Sequence, residues 1–208
     1  MAQKSTMLPT PTAARKTTAQ KILRVFRDKG GWLRQKDLRA AGFHARWLSR
    51  LTAEGAIERV RRGLYRVREA PTSEHQGLID ACHAVPDGVI CLLSALVFHG
   101  LTTVNPPEVY IAIERKARVP RVTYPPIRFL RFSPRLLALG RRRVSLKGGT
   151  IEVFDEEKTL CDCVRHRGGM GKDVVLEALK TYLRRKSRNI EKLLELSLPC
   201  HVENQVRS

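Results

Sequence analysis

The sequence predicts an α+β protein in two parts: a small basic unit of three helices and a hairpin, followed by a larger mixed α/β unit. Three observations carry this. Short apolar segments before residue 55 recur at helical spacing, and two further segments read as strands around a tight turn. Residues 15–70 hold sixteen Lys or Arg against five Asp or Glu, so they carry +11 of the chain's net charge of +19. Ala70-Pro71-Thr72-Ser73 has the composition of a linker.

The elements follow in order. Residues 1–16, rich in Ser, Thr, Pro and Ala, read as a disordered tail. Thr18 is the expected N-cap of a first helix with Ile22, Val25 and Phe26 on its inner face, stopped by Lys29-Gly30-Gly31. Trp32-Leu33 leads into a second helix, Gln35 to Ala41, closed by Gly42. A third helix runs from His44 to Ala53 and ends at Gly55. Strands Ile57 to Arg61 and Leu64 to Val67 flank Arg62-Gly63, where glycine permits a tight turn. Together, residues 17–69 have the order of a winged helix-turn-helix. Residues 70–74 are the linker, 75–198 the α+β domain and 199–208 a flexible tail.

In that second domain, 74–84, 92–98, 156–165, 174–185 and 189–196 read as helices. Val109 to Ile113, apolar on both faces, reads as an interior strand, with further strands at 127–132 and 150–154.

The composition narrows the function classes. A sequence pI of about 10.5 suits a polyanionic partner. No apolar run approaches the roughly 18 residues that span a bilayer, and the first 16 residues hold no signal-type apolar core. Five cysteines without a disulfide spacing read as reduced thiols of a cytoplasmic protein.

The third helix has the character of a DNA-reading helix. Leu48 and Leu51 pack inward, while Arg46 and Arg50, four residues apart, share an outward face. An arginine fork suits guanine in the major groove. Ser49 and His44 add polar groups, and Trp47 is assigned to the core. On the hairpin, Arg59, Arg61, Arg62 and Arg66 are placed for phosphate or minor-groove contact, and Arg34, Lys36 and Arg39 add charge on the second helix. The alternative is a basic, solvated surface without sequence preference.

Here the sequence resembles a known family. Gly31-Trp32-Leu33-Arg34-Gln35-Lys36-Asp37-Leu38, then Leu48-Ser49-Arg50-Leu51 and Ile57 through Tyr65, resemble the N-terminal domain of AbiEi-type antitoxins. The second domain resembles them through Cys91-Leu92-Leu93-Ser94-Ala95-Leu96, His99-Gly100-Leu101-Thr102, Phe154 through Asp162, Arg167, Gly171 and Asp173. The resemblance covers about residues 18–197. It implies a type IV antitoxin that represses its own operon through upstream repeats and opposes a nucleotidyltransferase-type toxin without needing a stable complex. It also implies that Arg46, Arg50 and the hairpin arginines contact double-stranded DNA. No cofactor, metal or catalytic residue is expected. A regulator without a toxin partner is the first alternative.

Between Arg115 and Lys147 stand eleven Lys or Arg and no acid. This run is expected to form one surface stripe: a second phosphate-binding face made of Arg115, Lys116, Arg118, Arg121, Arg128, Arg131, Arg141, Arg142 and Arg143, a face for an acidic partner, or a solvated face.

Three enzyme-like patterns fail. Gly168-Gly169-Met170-Gly171-Lys172 lacks the P-loop's first glycine, replaced by His166, and its hydroxyl after lysine, replaced by Asp173. Pro86-Asp87 with Glu114-Arg115-Lys116 would make a nucleic-acid-processing metal site, but Asp87 is read in a turn between helices. Cys161 and Cys163 point to different faces of a helix, which is unlike a zinc site, so the cysteines are read as small core residues. His99 is read as a cap or core residue, and Asp155 as favouring a helix start. Asp162 is expected to pair with His166.

Overall fold

The computed structural model describes residues 13–68 and 74–207, which fall into two compact units dividing between Ala70 and Pro71. The segments read as a disordered tail and a linker therefore lie largely outside the described residues. Among the described residues, no helix is long and apolar enough to cross a membrane.

The N-terminal unit runs α1 (Ala13–Asp28), β1 (Trp32–Arg34), α2 (Gln35–Ala40), α3 (Arg46–Ala53), β2 (Ile57–Arg61) and β3 (Leu64–Val67). The strands form an antiparallel sheet in the order β1-β3-β2. With the helices, this is a winged helix-turn-helix. Thr18 is not the N-cap: α1 begins five residues earlier, because Ala, Arg and Lys are strong helix formers that continue the helix backwards. Gly31, at φ 88°, closes α1 through an N–H bond to Phe26 O at 2.7 Å. Trp32-Leu33 is not a lead-in to α2 but part of an edge strand paired with β3. Ile22, Phe26, Leu33, Leu38, Leu48, Leu51 and Ile57 form one buried core, and Trp47 packs against it.

The C-terminal unit contains α4 (Gln76–Ala84), β4 (Val89–Ile90), α5 (Leu92–Phe98), β5 (Val109–Glu114), β6 (Ile127–Phe132), α6 (Pro134–Ala138), β7 (Arg141–Leu146) and β8 (Gly149–Phe154). It continues with α7 (Glu156–Arg165), α8 (Arg167–Met170), α9 (Lys172–Leu183), α10 (Ile190–Cys200) and α11 (Glu203–Arg207). The mixed sheet has the order β6-β5-β4-β8-β7. Successive residues of its central strands pack into different clusters. Val89 and Phe154 join the core with α5, α7, α9 and α10, and Ile90 and Val153 join the one with Ile79 of α4. A sheet covered on both faces needs such apolar, unalternating central strands.

Two expectations change here. The segment 199–207 is not a flexible tail: His201 turns at φ 58° between α10 and α11, and Cys200 and Val202 are buried in the main core. Their burial outweighs the helix-breaking tendency of Pro199, which sits in the last turn of α10. Asp162 pairs not with His166 but with Lys158, whose Nζ lies 2.6 Å from Oδ1. Both side chains are essentially without solvent contact. Lys158 Nζ also lies 4.5 Å from the ring centre of Phe154 and 5.0 Å from that of Phe132. Asp155 caps α7, accepting from Lys158 N–H at 2.9 Å, and pairs with Lys192 at 2.6 Å. His99 caps α5 and its Nε2 bonds Phe154 O at 2.7 Å. All five cysteines are free, and four of them are buried.

Candidate nucleic-acid interface

The helix-turn-helix is set by Gly42, whose φ of 82° lets the chain turn sharply after α2. Phe43 N–H then returns to Leu38 O at 3.1 Å. Because Leu48 and Leu51 are buried, Arg46, Ser49, Arg50 and Ala53 occupy the opposite face at helical spacing. Arg46 and Ser49 are exposed. Arg50 is ordered rather than free. Its Nε donates to Glu54 Oε1 at 2.8 Å, and its guanidinium lies 5.5 Å from the ring centre of Trp47. Two Nη groups remain beyond that bond, enough for the bidentate fork that guanine requires. His44 accepts the Arg46 N–H on Nδ1 at 3.2 Å, which fixes the start of the helix.

The hairpin is short and folded back. Gly63, at φ 75°, forms its tip, and Gly63 O accepts from Gln35 N–H at 2.9 Å at the first residue of α2. Arg34 pairs in register with Leu64. The fold thereby brings Arg34, Arg61, Arg62 and the exposed Lys36 around one junction. Burial first, and then Arg34, pull the pKa of Arg61 below its ordinary value. Its Nε is buried without a hydrogen-bond partner, and an approaching phosphate would neutralise the charge crowded at this junction. Arg59 and Arg62 are exposed.

Arg66 stands apart from this group. On the central strand β3, opposite Glu58, it makes an ion pair at 2.7 Å and lies 6.0 Å from the ring centre of Trp32. Its charge is already spent within the sheet. The acids Glu54 and Glu58 were missing from the sequence-based site. The i,i+4 spacing of Arg50 and Glu54 was a legible signal, whereas Glu58–Arg66 needs the strand register.

The basic run of the C-terminal unit is not one stripe. Arg128 and Arg131 lie on β6 and Arg141, Arg142 and Arg143 on β7, which are opposite edge strands of the sheet. Arg115, Lys116, Arg118 and Arg121 lie exposed on the loop after β5. Much of the charge is matched. Arg141 and Arg143 both bond Glu152, at 3.0 and 2.8 Å, and Arg128 bonds Glu108 at 3.0 Å. Arg142 lies 3.9 Å from Asp155. Arg131 donates to Arg115 O and Ala117 O and so braces the loop. Asp87 leads into strand β4, not between helices, and stands exposed at the same end of the β4–β5 pair as Glu114. Among the described residues, no three His, Cys, Asp or Glu come together as a metal site.

Residues 20–68 match the model of a family described as "Transcriptional regulator, AbiEi antitoxin". The fold is similar to the crystal structure of the RV2827C protein from Mycobacterium tuberculosis. That match has a TM-score of 0.54 and 15% identity, and covers 92% of this chain and 80% of that one. At that identity the likeness speaks for the fold alone. No curated protein matches the chain. The winged helix-turn-helix at residues 20–68 is thus that of a DNA-binding transcriptional regulator, similar over those residues to the AbiEi antitoxin family.

Proposed function

We propose that this protein is a cytoplasmic type IV antitoxin that represses its own operon by binding upstream repeats in double-stranded DNA. In this reading it also opposes a nucleotidyltransferase-type toxin without a stable complex, and it acts by binding, without catalysis or cofactor. The observation that carries the DNA reading is the division of labour on the N-terminal unit. An exposed helix face presents Arg46, Ser49 and an ordered Arg50, beside a hairpin junction of Arg34, Arg61 and Arg62. The helix face suits base edges and the junction suits phosphates. The toxin half of the reading rests on the family.

The test is fluorescence anisotropy with DNA from upstream of the protein's own gene against scrambled DNA, across a salt series. Autoregulation requires about a hundredfold preference that survives physiological salt, within the usual range for specific binding. Equal binding of both DNAs, collapsing with salt, would remove it. Co-expression with a nucleotidyltransferase encoded beside the gene tests the antitoxin half: rescue of growth supports it, and unrelieved toxicity refutes it.

A further inference from the structure

We propose that the C-terminal unit binds a small phosphate ester in a cavity between the β5–β6 edge of its sheet and the turn joining α7 to α8. The cavity measures about 300 Å³, at the small end of ligand pockets, roughly 300–1,000 Å³. That suits a mononucleotide-sized molecule.

The lining has the right chemistry. Arg128 enters from β6, and Arg165 and His166 from the end of α7. No lining residue is acidic. Each guanidinium is held by protein contacts that leave donors over. Arg128 bonds Glu108 through Nε and the Tyr110 hydroxyl through Nη1, at 3.0 and 3.4 Å, and Arg165 donates to Cys200 O at 3.4 Å. The carbonyl at the end of α7 is taken by Arg167, which donates to Val164 O at 3.1 Å. Donors arriving from a strand and from a helix end suit the tetrahedral oxygens of a phosphate. A planar carboxylate would be served by one arginine fork. Leu130 and Met170 supply an apolar wall for the organic part of the ester.

The wall opposite is strained. Leu92 holds φ 46°, a region that side chains with a β-carbon rarely adopt. It is held there by Cys91 N–H to Tyr110 O at 3.0 Å and by Tyr110 N–H to Ser94 Oγ at 2.9 Å. Strain held in place by the surrounding structure clusters at ligand sites.

A chain of net charge +19 attracts phosphate esters loosely over its whole surface, so the test must keep the charge and close the cavity. Gly169 lines the cavity, and a β-carbon there meets open space. Gly169→Leu therefore adds a bulky apolar side chain to the lining without a clash at its β-carbon. Isothermal calorimetry of the full chain with guanosine monophosphate is expected to show saturable one-to-one binding that inorganic phosphate displaces. Gly169→Leu and Arg165→Gln are each expected to weaken it by at least about tenfold, with circular-dichroism melts unchanged. Guanosine, which lacks the phosphate, is expected not to bind. If Gly169→Leu melts lower, the Arg165→Gln result decides. Absence of saturable binding, equal binding of guanosine, failure of phosphate to compete, or undiminished affinity in folded Gly169→Leu overturns the proposal.

Discussion

Replacing Lys158 by Met should destabilise the C-terminal unit severely, although the substitution is apolar and similar in volume. The ammonium is fully buried, 2.6 Å from Asp162 and close to two aromatic rings. Its removal leaves a buried carboxylate whose remaining hydrogen-bond contact is the Cys200 thiol, 3.9 Å away. Breaking a buried pair from one side costs about 3–5 kcal/mol. In a unit of this size that lowers the melting temperature by about 10–15 °C. Replacing both partners, Lys158→Met with Asp162→Leu, should recover most of the loss, because the desolvated charge disappears with its partner. Burial already raises the Asp162 carboxyl to about 6 from an ordinary 3.8, against the pull of Lys158. A raised acid binds its proton more tightly in the folded state. This group's contribution to stability is therefore greatest below the unfolded value and is lost as pH rises towards about 6. The cost of Lys158→Met should accordingly shrink in acid, where Asp162 is neutral. The assay is thermal unfolding by circular dichroism for both singles and the double at pH 7 and pH 5. A single variant melting within a couple of degrees of the parent at neutral pH, or a double as unstable as the single, would refute the reasoning.

Other perturbations separate reading residues from structural ones. Arg62→Ala should weaken binding to every DNA sequence and flatten the salt slope with the melt unchanged. Arg46→Ala should cost about 1–3 kcal/mol on operator DNA and relax the preference at one base position; anisotropy on operator and scrambled DNA distinguishes the two. Arg66→Ala should instead cost about 1 kcal/mol of stability in a urea melt, because it leaves Glu58 unpaired on the sheet. Gly140→Ala should lower the melting temperature of the C-terminal unit clearly more than Gly42→Ala. Both glycines have positive φ, but a β-carbon at Gly140 would stand 2.5 Å from Lys158 Cβ, whereas at Gly42 it meets nothing. Incubation with Mg²⁺ should leave DNA intact, and Glu114→Ala should change nothing; cleavage lost on that substitution would make the protein a nuclease.

The sequence by itself determined the parts whose signals are local. Helical spacing of Leu48 and Leu51 placed the third helix and the arginines on its opposite face, and Gly63 placed the hairpin tip. The charge imbalance pointed to a polyanion. The longer helices and the apolar six-residue strands β5, β6 and β8 were legible because their periodicity or apolar run is distinctive, whereas β7, equally long but opening on Arg141-Arg142-Arg143, was not. Only the tertiary structure decided what depends on partners distant in the chain. Strands β1 and β4, three and two residues long, carry too little pattern to be seen and exist because neighbouring strands supply their hydrogen bonds. Pairing gave Arg66 to Glu58, folded Arg61 against Arg34, and set the two halves of the basic run on opposite edges of one sheet. A run of like charges in sequence says how much charge there is. Where it lies, and how much remains unmatched, is set by strand order and by acids such as Glu152 that the fold brings alongside.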